Sequence, residues 1–420
     1  MAKKDIIYYS SGNLVVSLVP FILTPFLINN LSPSEYGRVA LFQITLGIFN
    51  ILVGLSTNGA LVRANYNSEI SRPKIYEYFF NANLIVLFSS LTLGFFVFIF
   101  QSYIYKATSI DVELLSISLF TSMMFYFIRV RLGQWQVNFE SFKYIRLQVI
   151  QTTLLIFIFF FVFYYINNSS ESRIYSHVLA LIIVFIISFF SLLREGFYSQ
   201  CKINYNYIKE LLNQGVGILP HLIGIYILSF SDRIIVNKYL GDDSVGVLML
   251  AIQVSLVLNI VVDGINKALN PKLFRILKKD NIEDKIKVVK FTWLLCASSV
   301  LLSLPLSYIS YQAIIYISPQ EYHEAADLVR FIIITQVING LYVGFVNYIL
   351  YSKKLWMLSS ISIITGLVGV LLTISLIDKY LLLAPVISGF ICALIRLVLV
   401  FFVSLNLVKM PWFNFIRLKN

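Results

Sequence analysis

Apolar positions fill this chain in runs of about 20 residues, and short polar stretches part them. A helix of that length crosses the roughly 30 Å hydrocarbon core of a bilayer. The pattern predicts twelve membrane-spanning helices, at 7–30, 39–62, 79–101, 111–131, 145–166, 174–193, 214–238, 246–266, 291–311, 329–350, 356–377 and 383–408. The connections are short. The one sizeable polar stretch, 267–290, is expected to end in a helix lying at the membrane interface. The third and fifth runs are apolar nearly all round and are expected to face lipid.

The pattern repeats. A shift of 209 residues lays the second span on the eighth: Leu31 meets Leu240, Gly37 meets Gly246, Leu41 meets Leu250 and Asn50 meets Asn259. The turn LSPSEYG falls on LGDDSVG. Coincident Asn and Gly carry more weight than coincident Leu or Ile. The expected fold class is therefore an all-α polytopic membrane protein of about twelve helices in two six-helix lobes, 1–205 and 206–420. Six spans per lobe place both copies the same way round, so the repeats are parallel.

Several runs carry a polar stripe at helical spacing. Asn13, Ser17, Pro20 and Thr24 share a face in the first. Gln43, Gly47, Asn50, Gly54 and Thr57 do so in the second, and Ser255, Asn259, Asp263 and Asn266 in the eighth. Such stripes serve either helix–helix packing or a hydrated cavity. The seventh run, 218–241, holds Asp232 beside Arg233, with His221 eleven residues earlier, about three turns away. Arg233 is expected to point about 100° from Asp232. Arg396 lies near the middle of the last run with no carboxylate close in sequence. Ionisable groups inside a span are costly and tend to be functional. Arg396 is expected to face a cavity, to find a carboxylate such as Asp263, or to snorkel to the interface. Prolines at 20, 25, 305 and 385 interrupt backbone pairing inside spans.

Composition agrees. Hydrophobic residues make up 58% and charged residues 13%, against about 25% charged in soluble proteins. The net charge of +12 is explained by topology without nucleic acid. With both termini cytoplasmic, the inner segments hold 25 of the 33 Lys and Arg, the outer segments hold 6, and Arg233 and Arg396 lie within spans. That bias sets orientation. The basic N-terminus lacks a small-x-small cleavage site after its apolar run, so it is expected to be an uncleaved first span. The three cysteines are far apart, and no metal set or disulfide framework is expected. Phosphate-loop, HExxH and GxSxG motifs are absent from the sequence. No catalytic residues and no cofactor are therefore expected, with H+ or Na+ coupling left open.

The segments LSPSEYGRVALFQ, SFSDRIIVNKYLGDDSVGVLMLA, NPKLFRIL and SPQEYHEAADLVR resemble the polysaccharide-export branch of the multidrug/oligosaccharidyl-lipid/polysaccharide superfamily, and more narrowly the O-antigen (Wzx-type) flippases. The Asp-Arg-x-Ile-Ile block with its Leu-Gly turn is the most specific of these. Lipid II flippases of the superfamily typically carry two more spans. The resemblance implies two lobes, a cytoplasmic (inner) membrane location in a bacterium, and alternating access. It implies a cargo of oligosaccharide on undecaprenyl pyrophosphate, and a polysaccharide polymerase as a possible partner. Arg233, Arg396, Arg63 and Arg129 are the candidate cations for the pyrophosphate, since Arg suits multidentate phosphate contacts. Asn50, Asn259 and Gln43 are candidates for sugar hydroxyls. Asp232, Asp263 and His221 are candidates for charge pairing or ion coupling. A multidrug extruder of the same fold, and a polytopic O-antigen polymerase or acyltransferase, stand as alternatives.

The charge bias is directly testable. A phosphatase active only outside the cytoplasm should be inactive when fused after residue 285 and active when fused after residue 108. The reverse result would invert the topology.

Overall fold

The structure, a computed structural model, describes residues 3–66, 72–279, 281–352 and 354–412. Its described residues form helices and turns without a strand. In the first half these are α1 (Lys3–Asn30), α2 (Pro33–Leu52), a 3-10 turn (Val53–Ser56), α3 (Thr57–Tyr66), α4 (Arg72–Thr108), α5 (Val112–Val137), α6 (Ser141–Tyr165) and α7 (Ser170–Arg194). Then follow α8 (Tyr205–Leu240), α9 (Asp242–Lys279), α10 (Ile282–Ile317), α11 (Glu324–Tyr351), α12 (Leu355–Tyr380) and α13 (Leu383–Leu407). Among the described residues, eleven helical stretches are long and apolar enough to cross a membrane. A shorter apolar helix, Val16–Asn30, covers part of the expected first span.

Local chemistry sets the helix starts. Ser32 caps α2: its hydroxyl accepts the Glu35 N–H, and the Glu35 carboxylate accepts the Ser32 N–H. This reciprocal box satisfies two of the donors that a helix start leaves free. Gly241, at φ +85°, ends α8 in the left-handed region and lets α9 begin at once on Asp242 and Asp243. Those carboxylates sit at the positive end of the helix dipole.

The stretch 267–290 is not a loop. α9 runs on to Lys279 and α10 begins at Ile282. Helices of 38 and 36 residues are about 55 Å long and outrun the hydrocarbon core, so their charged ends extend past it as helix. Lys and Glu are good helix formers, which is why a polar sequence there did not end the helices. The lipid-facing expectation holds for α4, where Phe88, Leu91, Phe95 and Phe98 are exposed. It fails for one face of α6. Phe159 is fully buried, and Phe159 and Phe163 pack edge-on around Phe26 of α1. Phe suits lipid and protein interior equally, so sequence alone does not separate the two.

By contacts the chain forms two compact units, Met1–Tyr226 and Ile227–Asn420. The first part of α8 belongs to the first unit. There Arg63 Nε donates to Gln214 Oε1 at 3.2 Å, and the Tyr226 hydroxyl donates to the Ile44 carbonyl. The units share a packing plan. In the first, α5 packs on α2, α4 and α7, and α6 packs on α7. In the second, α11 packs on α9, α10 and α13, and α12 packs on α13. These are the helices that the 209-residue shift equates.

The second expected span departs most from its sequence reading. Gly54, Leu55 and Ser56 all have left-handed φ, at 68°, 50° and 57°, so the helix breaks and the stripe from Gln43 to Thr57 does not stay on one face. For non-glycine residues this costs about 1–2 kcal/mol each, and the surroundings hold it. Gly54 N–H donates to Ser89 Oγ at 2.9 Å, and Thr57 Oγ1 bonds the Gly54 carbonyl at 2.6 Å and the Tyr126 hydroxyl at 2.9 Å. A Cβ on Gly54 would lie 2.6 Å from the Tyr126 ring.

Arg131 of α5 is 1% exposed. It donates to Glu195 Oε2 at 2.8 Å and to Ser191 Oγ at 2.7 Å, and stacks 4.3 Å from the Trp135 ring centre. This ties α5 to the end of α7. The Arg131 hydrogen bond holds the Glu195 carboxyl below its ordinary pKa. Its stabilisation is therefore full above about pH 4.3 and fades as pH falls through the lower folded value. Arg131→Ala should destabilise the first unit by about 2 kcal/mol in thermal melts of the purified protein and flatten this acid dependence. Arg330→Ala, which removes an exposed pair with Asp327 at 3.9 Å, should change stability by less than about 0.5 kcal/mol. Equal effects would contradict the assignment.

Candidate functional site

Five helices of the second unit line a cavity of about 410 Å³. α8 brings Ser229, Asp232 and Arg233, and α9 brings Asn259. α11 adds Thr335, Gln336 and Asn339; α12 adds Gly366, Gly369 and Thr373; α13 adds Ser388, Gly389, Cys392 and Arg396. The polar residues come from mid-helix positions in otherwise apolar sequences. The remaining lining is aliphatic, with Leu248, Ile252, Leu256 and Ile332 among it.

Asp232 and Arg233 do not diverge as their positions on a helical wheel suggest. Arg233 Nη1 lies 3.6 Å from Asp232 Oδ1, and the same oxygen accepts the Arg233 backbone N–H at 2.8 Å. The arginine side chain is long enough to bend back across the helix surface. Arg233 also donates to the Ser229 carbonyl and lies 5.1 Å from the Phe230 ring centre. At 6% exposure it is buried.

Arg396 pairs with no carboxylate among the described residues. Its Nη2 donates to Asn339 Oδ1 at 2.6 Å, and its guanidinium lies over the Tyr342 ring at 4.4 Å. Asn339 Nδ2 donates in turn to Gln336 Oε1 at 3.0 Å, and Asn259 Nδ2 donates to that same oxygen at 2.8 Å. Gln336 Nε2 reaches Ser255 Oγ at 3.3 Å. An amide relay thus fixes Arg396 from α13 through α11 to α9. The hydroxyls of the lining residues Thr373 and Ser388 bond each other at 2.6 Å. The Nε atoms of Arg233 and Arg396 and the Thr335 hydroxyl are buried with no hydrogen-bond partner among the described residues. An unmet donor on a charged group is costly.

The site residues expected from sequence fall into two groups. Arg233, Arg396, Asn259 and Asp232 share the cavity. The side chain of Asp263 lies outside the described residues, so its expected pairing with Arg396 is not seen; Asn339 takes that place. Gln43, Asn50, Arg63, Arg129 and His221 belong to the first unit. There Gln43, Arg63 and Arg129 are exposed. Arg129 sits 4.5 Å from the Phe125 ring centre, with Nη1 3.5 Å from the Asn50 carbonyl near the end of α2. A cation there meets the negative end of the helix dipole. His221 Nδ1 has no partner among the described residues.

Gln336 and Asn339 went unnoticed in the sequence. Gln336, Asn339, Val343 and Asn347 recur at +3, +7 and +11 and mark one face of α11. Asn347 Nδ2 bonds Asn266 Oδ1 at 2.6 Å. The α9 stripe is therefore zipped to an α11 stripe at Asn266, and among its described residues Asn259 lines the cavity.

Comparison with known proteins bears on this geometry. The sequence signature of the family described as "Polysaccharide biosynthesis protein" matches residues 2–277. "Lsg locus putative protein 1" of Haemophilus influenzae is 24% identical over 373 residues, covering 87% of this chain and 89% of that protein. Among solved structures, "Lipid II flippase MurJ, inward closed conformation" has a TM-score of 0.74 at 14% identity, covering 98% of this chain and 89% of that one. An inward-facing multidrug resistance MATE family transporter of the MOP superfamily has a TM-score of 0.72 at 12% identity, covering 99% of this chain and 100% of that one. At these identities the two structures show the fold alone. With the signature spanning well over half its length, this chain belongs to the polysaccharide biosynthesis protein family.

Proposed function

We propose that the protein is a flippase for a saccharide carried on undecaprenyl pyrophosphate. It moves an O-antigen or related polysaccharide repeat unit from the inner to the outer leaflet of a bacterial cytoplasmic membrane by alternating access. No covalent bond of the cargo is made or broken. The family and the flippase fold support this reading. The observation that carries it is the polar cavity inside the apolar helices of the second unit, with two arginines and a relay of amides. A chain would not place such groups at mid-span without a use that repays their desolvation.

The cargo brings sugar hydroxyls and negative charge, and both kinds of group have counterparts. Asn259, Gln336 and Asn339 offer amides. Arg63 and Arg129 are exposed and form no ion pair among the described residues, so their guanidiniums are available to phosphate oxygens. The polyprenyl tail can remain in lipid. A drug-extruding cavity would be acidic and aromatic, whereas Asp232 here is held by Arg233.

Cells lacking the protein should accumulate single, unpolymerised repeat units on the inner leaflet and lose the surface polysaccharide. Arg233→Ala and Arg396→Ala should each reproduce that loss with normal amounts of protein in the membrane. Unpolymerised units on the outer leaflet would point to a polymerase instead. Normal surface polysaccharide with no lipid-linked build-up would overturn the reading.

A further inference from the structure

Past Leu407 the chain leaves α13. Pro411 has no N–H with which to extend a helix and disfavours the helical region for Met410. Val408 is already extended, at φ −134° and ψ 115°. The segment Lys409–Trp412 then folds back on the end of the unit, and the Trp412 N–H donates to the Met410 carbonyl at 2.9 Å. Trp412 is 4% exposed. Its ring centre lies 5.2 Å from those of Phe345 and Tyr348 on α11 and 6.3 Å from that of Phe401 on α13. From α10, Trp293 Nε1 donates to the Trp412 carbonyl at 3.2 Å, and Lys285 Nζ donates to the Lys409 carbonyl at 3.3 Å. We propose that Trp412 is a withdrawable plug. It closes the cavity of the second unit at the end where α13 stops, which is the end the charge bias assigns to the cytoplasm.

The plug lies beneath the cavity floor. Toward that end, the last lining residue is Asn339 on α11 and Arg396 on α13. Beyond them come Phe345, six residues on, and Phe401, five residues on, about 9 and 7.5 Å along their helices. Phe345 and Trp412 belong to one buried apolar cluster, which Leu277 of α9, Val289 of α10 and Ile361 of α12 join. Tyr342, whose ring lies against the Arg396 guanidinium, packs on the same cluster. An aromatic layer therefore separates Arg396 from Trp412, and Trp412 supports that layer from below.

The seal has costs that favour its release. Trp412 Nε1 and the Tyr348 hydroxyl are buried with no hydrogen-bond partner among the described residues. Withdrawal of the ring lets water reach both, which offsets part of the lost apolar packing. The tie from Lys285 is exposed and so competes with water. The first unit braces the corresponding place with an amide instead. The 209-residue shift equates α4 with α10 and lays Lys202 on Pro411. Asn81 of α4 donates through Nδ2 to the Lys202 carbonyl at 2.9 Å and accepts the Asn204 N–H through Oδ1 at 2.9 Å. That amide is met on both sides, and its segment is a fixed tie. In the second unit an indole with an unmet donor takes the same station.

A native thiol reports on the plug. Cys392 lines the cavity and is 2% exposed, whereas Cys201 is exposed and serves as the reference. The full-length protein is treated with membrane-impermeant sulfonatoethyl methanethiosulfonate in inside-out and in right-side-out vesicles. Modification of each cysteine is followed by peptide mass. Relative to Cys201, Trp412→Ala should speed modification of Cys392 at least about ten-fold in inside-out vesicles and leave the right-side-out rate unchanged. Trp293→Phe, which removes the indole donor to the Trp412 carbonyl, should speed it about three- to five-fold. Trp412→Phe, which refills most of the space, should stay within about two-fold of the unsubstituted protein. If Trp412→Ala does not fold, Trp293→Phe decides. Unchanged Cys392 rates overturn the proposal. So does acceleration equal from both faces, which marks general loosening, and so does acceleration from the other face alone. The readout uses no cargo, so it stands apart from the leaflet analysis that tests the flippase reading.

Discussion

A guanidinium in the middle of a membrane-spanning helix must be met by something, and in the second unit that requirement shapes five helices. Arg396 is too far along α13 to reach an aqueous end easily. It is met by Asn339, which is held by Gln336, which is held by Asn259 and Ser255. Each link is a modest contact, with interhelical polar bonds in membranes worth about 0.6–2 kcal/mol. Together they register α13 against α11 and α11 against α9. Asp232 and Arg233 add their own pair from α8. The cavity is the space these residues keep open.

The first unit uses the same packing plan for a different interior. One of its buried arginines, Arg131, is neutralised by Glu195 and closed in by Ser191 and Trp135, so it serves stability. Its polar stripe on α2 ends in a break, with three successive left-handed residues held by Ser89, Thr57 and Tyr126. Arg129 stands at that break near the Asn50 carbonyl, exposed and without an acid among the described residues. The duplicated architecture thus carries unequal chemistry: exposed arginines and a broken helix in one copy, an amide-lined cavity in the other.

Much of this was legible in the sequence. Hydropathy marks the helices because a membrane span needs its whole length apolar, and the fold class needed no more than that. Arg233, Arg396, Asn259 and Asp232 stood out because polar groups in such runs are costly, and the structure gathers those four. The details that were not legible depend on backbone or on distant partners. The run Val53–Ser56 reads as an ordinary part of a helical stripe, and nothing in Leu55 or Ser56 announces a left-handed conformation. The Lys-rich ends of α9 and α10 read as loop because they are polar, although Lys favours helix. The partner of Arg396 is 57 positions away, beyond any local pattern. The stripe through Gln336, Asn339 and Asn347 was visible at helical spacing, but amides in an apolar run draw less notice than charges.

The central claim is that the protein moves a lipid-linked saccharide across a bilayer without altering it. It is tested most directly by reconstituting the purified protein into sealed vesicles. An undecaprenyl-pyrophosphate-linked oligosaccharide is placed in both leaflets, and the fraction open to a membrane-impermeant glycosidase is measured over time. The account predicts that intact cargo is digested beyond the outer-leaflet share in vesicles with the protein, and only to that share in protein-free vesicles. Digestion stopping at the outer-leaflet share in both, or cargo chemically changed by the protein before the glycosidase is added, would contradict it.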